Sequence, residues 1–168
     1  MLTQTQLTAL YGAAKSAVLA ERSTGCCAEL SVAQWCIESA WGSRSPGNNC
    51  FGIKVDGHGS GVQYFVSREF LNGTWVTMTE AFEKYDTLTD CFMDHARLIT
   101  TVDAYRPAWQ QYGLDHDLDA LIGNVARRYA SDPHYGQLCL ELAHDPDVQT
   151  AIAAGRAAAN ILPASPIT

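Results

Sequence analysis

The stretch SVAQWCIESAWG, residues 31–42, sets one carboxylate, Glu38, among Val32, Trp35, Ile37 and Trp41. Ser31 and Gln34 form a Ser-x-x-Gln capping-box pattern, and Gly42 is the residue type that closes a helix, so the stretch predicts a helix starting at Ser31 and stopped by Gly42. Its two flanks differ in character. Upstream, Leu7, Leu10, Tyr11, Ala14, Val18 and Leu19 recur at helical spacing over residues 3–20, until Gly25 and the Cys26, Cys27 pair break the period. Downstream, the turn-rich segments SRSPGNNC (43–50) and VDGHGSG (55–61) surround or precede CFGIKV (50–55), VQYFVSREF (62–70) and TWVTMTEAFEKY (74–85). These three read as short strands, the last two joined by a strong hairpin signal at Asn72-Gly73. From Asp86 the helical period returns, with Leu88, Cys91, Phe92, His95, Leu98 and Ile99 on one face, and further helices are expected near 118–129, 133–142 and 146–159. The order predicts an α+β fold, a helical body with a small antiparallel sheet beside a cleft, in one domain over residues 1–168 with a flexible tail at 161–168. Glu38 ends the helix that leads into the sheet.

With 168 residues, 47% hydrophobic and 17% charged, the chain has the composition of an ordinary globular domain. A net charge of -7 and scattered basic residues argue against nucleic-acid binding, which needs a basic stripe to meet phosphates. No apolar run approaches the ~20 residues of a membrane span. The first residues lack the basic start and unbroken apolar run of a signal peptide and read as an amphipathic helix. Six cysteines show no CxxC pair, and Cys36 and Cys91 fall on apolar helical faces, so mostly buried thiols are expected, with room for one disulfide.

On a helix, Trp35 and Trp41 lie three residues either side of Glu38 and share its face. Indole walls would desolvate the carboxylate and raise its pKa, and the C-terminal end of the helix dipole acts in the same direction. A carboxylic acid kept protonated near neutral pH is what a general acid for glycosidic cleavage needs. The plainer alternative is a solvated glutamate beside two core tryptophans.

The segment AQWCIESAWGSRSPGNNCFGIKV (33–55) resembles the signature of the bacterial glucosaminidases, glycoside hydrolase family 73, the autolysin and flagellar peptidoglycan-hydrolase family. The shared features are Ala33-Gln34, Glu38-Ser39-Ala40-Trp41-Gly42 and Asn49-Cys50-Phe51-Gly52-Ile53-Lys54. Downstream, RRYASDPHYGQLCLEL is similar to the family's Tyr-Ala-Thr-Asp-Pro-x-Tyr-Ala segment through Tyr129, Ala130, Asp132, Pro133 and Tyr135, and FEKYDTLTDCFMDHARLI is similar to the stretch between. The resemblance implies a lysozyme-like fold that hydrolyses the β-1,4 link after N-acetylglucosamine in peptidoglycan. It implies that Glu38 is the catalytic acid, that Phe51 and Gly52 line the cleft, and that Tyr129 reaches towards the sugar. Asn49 and Trp41 are carried as further substrate-binding candidates, though core packing alone would also explain Trp41. For the second carboxylate the family's glutamate before an Asn-Gly turn corresponds to Glu69, with Glu80 and Glu83 as fallbacks; the alternative for Glu69 is an exposed strand residue paired with Arg68 or Lys54.

No metal or organic cofactor is implied. His95 sits on an apolar face without an HExxH pattern, the glycines of DGHGSG lack the Lys-Ser/Thr of a phosphate loop, and neither Cys36 nor Cys50 carries a protease nucleophile signature. Against the resemblance stand an acidic balance, where wall-clinging hydrolases are often basic, and a short 42–49 loop. The expected partner is the peptidoglycan glycan strand, met by a monomer in the periplasm or cell wall. With no signal read at the N-terminus, the protein would be a phage lysin, a secreted effector with an immunity protein in its host, or a fragment of a larger autolysin. The rivals are a lytic transglycosylase or muramidase on the same fold, and a glycan-binding module that does not cut.

Overall fold

A computed structural model describes residues 1–71 and 73–161, the side chains of 67–71 and 161 excepted. Asn72 of the expected hairpin turn, the Glu69 side chain and the tail from 162 lie outside the described residues. Helix α1 (Gln4–Thr24) opens on the Thr3 capping box with Gln6 and closes at Gly25, whose φ of 80° suits the left-handed cap. Helix α2 (Ala28–Glu38) follows almost at once. Strands β1 (Gly61–Leu71) and β2 (Thr74–Lys84) pair antiparallel from Gly61↔Lys84 to Leu71↔Thr74. Helices α3 (Leu88–Thr101), α4 (Arg106–Asp115), α5 (Leu118–Tyr129), α6 (Tyr135–Ala143) and α7 (Pro146–Ile161) complete the order. The expected α+β arrangement is therefore present, a helical body carrying one hairpin.

Burial of α2 organises the body. Every residue from Ala28 to Cys36 is buried, because α1, α3, α6 and α7 pack around it. A helix enclosed on all sides must satisfy its polar side chains internally. Glu29 does so through Arg156 of α7, whose guanidinium also binds Glu21 of α1, each carboxylate accepting two hydrogen bonds. Where α7 crosses α1, Gly155 brings the backbones together: a Cβ there would stand 3.3 Å from the Ala14 carbonyl oxygen.

The structure corrects several local expectations. Helix α2 starts at Ala28, not Ser31; Ser31 is 1% exposed inside the helix, its Oγ 3.5 Å from the Cys26 sulfur, so burial of the whole segment overrides the capping pattern. The helix ends at Glu38, as expected, but Gly42 is not the residue that stops it. Ala40 and Trp41 turn left-handed, and the Trp41 N–H donates to Cys36 O (3.0 Å) and the Ala40 N–H to Ile37 O (3.3 Å), a Schellman closure with alanine in the usual glycine place. Gly42 is needed for another reason: at φ 83° its Cα faces the Trp35 indole, and an added Cβ would stand 3.0 Å from Cζ2. The CFGIKV segment forms only one bridge, Lys54↔Phe82. Helix α4 has no counterpart in the expectation, since RPAWQQYGLD buries only Ala108 fully and carries little periodicity. The last helices begin or end within two residues of the expected bounds, α7 reaching Ile161.

All six cysteines are free and buried, including Cys50 and Cys91 with sulfurs 3.4 Å apart. Burial pushes the thiols of Cys26, Cys36 and Cys139 up to about 12, which removes the reactive thiolate at neutral pH. Native protein should react slowly with a chromogenic disulfide such as DTNB, and all six thiols should titrate once it is unfolded; rapid native labelling would contradict this packing. Arg156→Ala leaves Glu29 buried without its partner, and should cost about 2–3 kcal/mol in chemical denaturation, with unchanged far-UV circular dichroism.

Candidate active site

The cleft is built by what Glu83 and Asn49 hold in place. Asn49 is buried, its Oδ1 accepting from the Ile53 N–H (3.0 Å) and its Nδ2 donating to the carbonyls of Ile53 (2.9 Å) and Glu83 (3.0 Å). Glu83 is 2% exposed, and its Oε1 accepts from the N–H groups of Asp56 (2.8 Å) and Gly57 (2.6 Å). From β1, Gln63 Nε2 donates to Pro46 O (2.8 Å) and Glu83 O (3.0 Å). These bonds fasten the 46–57 loop to the base of the hairpin. Between the loop, the end of α2 and the hairpin lies a cavity of about 230 Å³, with Glu38, Arg44 and Gly52 on one side and Gln63, Phe65 and Phe82 on the other.

Glu38 is exposed at this cavity, being the last residue of a buried helix. The indole enclosure expected around it is absent: Trp35 is 1% exposed in the core, and neither tryptophan is among the residues lining the cavity. Trp41 is half-buried beyond the helix end. The aromatic wall comes instead from the sheet, where Phe65 and Phe82 meet edge-on with ring centroids 5.6 Å apart.

What touches Glu38 is Tyr135, whose hydroxyl donates to Oε1 at 2.7 Å. Tyr135 is buried, and its ring stacks on Tyr129 at 5.8 Å between centroids. Burial and then the adjacent carboxylate raise the pKa of the Tyr135 phenol, so it remains a donor at every working pH. Tyr129 points its hydroxyl at the Phe51 carbonyl (3.4 Å), and its pKa too is raised by burial, then by Glu38. Phe51 is itself core, stacked on His95 at 3.9 Å and edge-on to Phe92 at 5.0 Å. Gly52, at φ 65°, lines the cavity with open space where a Cβ would be.

Of the carboxylates on the hairpin, Glu80 pairs with Lys54, and Glu83 is occupied in the loop. Glu69 pairs with Val76 in the ladder, in the same alternating series as Gln63 and Phe65, but its side chain lies outside the described residues. A second cavity, of about 430 Å³, lies between the 58–60 loop and α3, away from Glu38; its Asp94 is held by Tyr85 (2.6 Å) and Arg97 (2.6 Å). Among the described residues no group of three or more His, Cys, Asp or Glu could hold a metal ion, and no helix is long and apolar enough to cross a membrane.

Residues 14–147 match the glucosaminidase family, described as mannosyl-glycoprotein endo-β-N-acetylglucosaminidase. The chain belongs to this family. It is 33% identical over 123 residues to a probable N-acetylmuramidase of Lactococcus lactis subsp. lactis, covering 68% of this chain and 27% of that protein. It is 32% identical over 131 residues to the peptidoglycan hydrolase FlgJ of Vibrio parahaemolyticus, covering 73% of this chain and 42% of the relative. The chain thus spans less than half the length of these relatives. The catalytic domain of the autolysin Auto from Listeria monocytogenes has the same fold, with a TM-score of 0.73 at 18% identity over 90% of this chain and 89% of that one. The fold is accordingly that of peptidoglycan-hydrolase domains, as the family resemblance implied.

Tyr135 stands within a family motif that gives it no place at the site, and Phe65, Phe82 and Arg44 join the site without having been expected there. The phenylalanines were within reach: a two-residue turn at 72–73 sets Leu71 opposite Thr74, and counting back brings Phe82 opposite Gln63 on the face of Phe65. No local pattern connects Tyr135 to Glu38.

Burial lowers the His95 pKa to about 3. The unfolded chain, with an ordinary histidine pKa of ~6.5, binds the extra proton first. His95 should therefore contribute stability that is full above that pH and lost as pH falls towards 3, with a slope of up to ~1.4 kcal/mol per pH unit. Urea denaturation of wild type and His95→Gln across pH 4–7 checks this; the substitution should flatten the slope.

Proposed function

We propose that this chain is a peptidoglycan hydrolase that cleaves the β-1,4 glycosidic bond after N-acetylglucosamine. The observation that carries the reading is Glu38: a carboxyl exposed at the cavity, fixed through one oxygen by a buried tyrosine and opposed by an aromatic wall. Family membership, and relatives named as peptidoglycan hydrolases, supply the substrate class. Glu38 gives its proton to the leaving glycosidic oxygen as the bond to the anomeric carbon breaks, and water completes the hydrolysis. Because Oε1 accepts from Tyr135, the proton to be transferred sits on Oε2. Phe65 and Phe82 offer an apolar face to the sugar ring, while Asn49, Phe51 and Gly52 shape the wall behind it.

The second carboxylate in this reading is Glu69. Backbone alternation supports it, since Glu69 shares the series of Gln63 and Phe65. Glu83 belongs to the opposite series, and two backbone N–H groups already occupy it. Glu80 is kept as the fallback, in the same series but paired with Lys54. The protein would act as a monomer on glycan strands in the cell wall or periplasm, as a phage lysin, as a secreted effector or as a domain of a larger autolysin. In the second case an immunity protein would close this cavity in the producing cell.

A second reading has one observation in its favour: the relatives' names divide between muramidase and peptidoglycan hydrolase. Mass spectrometry of digested peptidoglycan separates the candidates. New reducing N-acetylglucosamine ends are expected from wild type. Reducing N-acetylmuramic ends would indicate a muramidase and anhydro-muramic ends a transglycosylase, while retention of glycan without cleavage would leave a binding module. Glu38→Gln should lower turnover by about 10²–10⁴-fold, Glu69→Gln by about 10–100-fold, and Glu80→Gln by less than about threefold. A strongly impaired Glu80→Gln beside an active Glu69→Gln would exchange their roles.

A further inference from the structure

Beneath Glu38 runs a buried chain of hydrogen bonds. His95 Nε2 lies 3.0 Å from Gln34 Oε1, Gln34 Nε2 lies 3.4 Å from the Tyr135 hydroxyl, and that hydroxyl lies 2.7 Å from Glu38 Oε1. The side chains come from α3, α2 and α6. His95 is 1% exposed and Gln34 0%, so no water competes for their donors.

Each bond in this chain has a direction, and the direction starts at His95. Its Nδ1 is buried without a partner. A proton there would be an orphaned buried donor, whereas a bare nitrogen is only an unfilled acceptor, so the proton belongs on Nε2. The imidazolium, with two donors for one acceptor, is disfavoured further, and burial accordingly holds the ring neutral. Stacking on Phe51 fixes the ring plane. With Nε2–H as donor, Gln34 must present Oε1 to His95 and its NH₂ to Tyr135. Tyr135 then receives a donor from Gln34 and gives its own proton to Glu38, the neighbouring Cys139 sulfur being a much weaker acceptor. If the Gln34 amide were reversed, its oxygen would draw the tyrosine proton away from Glu38.

We propose that Gln34 and His95 are positioning residues that orient the Tyr135 hydroxyl towards Glu38 Oε1, and thereby leave Oε2 as the oxygen that carries and delivers the proton. This rests on Glu38 being the acid. His95→Phe keeps a ring against Phe51 but removes the donor and frees the Gln34 amide to reverse. His95→Gln restores an N–H near the position of Nε2. Gln34→Met breaks the chain at its middle while keeping length and helix propensity.

The test is steady-state turnover on purified peptidoglycan, with Tm recorded for each variant. His95→Phe and Gln34→Met should each lower kcat about tenfold at unchanged KM, the effect of one hydrogen bond realised in the transition state. His95→Gln should recover most of the loss. In a Tyr135→Phe background His95→Phe should change kcat no further, because the bond it orients is already gone. Wild-type kcat in both single variants overturns the proposal, as does a His95→Phe loss that adds in full to Tyr135→Phe or that His95→Gln fails to recover. Should only one of the two single variants fold, that one decides by the same criterion. Glu38→Gln is run alongside: if it retains full activity, the acid assignment fails, whereas an inactive Glu38→Gln beside unaffected His95 and Gln34 variants sinks the orienting chain alone.

Discussion

Helix α2 can be buried on every side only because its acid, hydroxyl and amide side chains meet fixed partners, the Trp35 indole N–H being left buried without one, and the rest of the structure is arranged around that requirement. Glu29 meets Arg156, Ser31 the Cys26 sulfur, and Gln34 both His95 and Tyr135. Those partners come from the link before α2 and from α3, α6 and α7, so satisfying one helix fixes the elements around it. Arg156 gathers two acids into one network, which ties the C-terminal helix back to the first. Removing a partner therefore costs more than one contact, since a buried polar group is left alone.

The same burial explains where Glu38 stands. Ile37 and Glu38 are the first α2 residues to leave the core, and the left-handed turn at Ala40–Gly42 then takes the chain away. Left-handed alanine and tryptophan are unfavourable by about 1 kcal/mol or more each, a strain that the packing of Gly42 on Trp35 and the Ser39 hydroxyl helps to hold. Ser39 Oγ donates to Trp35 O (2.6 Å) and accepts from the Gly42 N–H (2.8 Å). The carboxyl thus projects from a rigid base into the cavity.

Across the cavity, alternation along the hairpin gives neighbouring acids different work. Glu83 turns inward to hold the 56–57 loop, while Phe82 beside it faces the cleft. Outward from that base, Tyr64 at 68% and Val66 at 70% exposure show that the hairpin stands clear of the body. Its stability rests on its ladder and on the Asn49, Glu83 and Gln63 bonds at its root. A glycan strand entering the cleft would meet a firm floor on the helical side and an aromatic ledge on the other.

By itself the sequence determined the helix–hairpin–helix order, the pairing of the two long strands, the α3 face and the position of Glu38 at a helix end, because hydrophobic period and turn chemistry are local. The family motifs point to Glu38, Asn49, Phe51, Gly52 and Tyr129 as site residues. Local pattern failed where burial decided. Ser31 looked like a cap and is core, Gly42 looked like a stop and is a close-packing glycine, and α4 has too little apolar period to be read. The tryptophans look like walls of the site because they share a helical face with Glu38 on paper, yet the chain turns before Trp41 and the core takes Trp35. Tyr135, 97 residues from Glu38 along the chain, reaches it only through the packing of α6 on α2. Such long-range pairing leaves no periodic trace, since each residue is chosen to satisfy a partner that only the folded chain brings near.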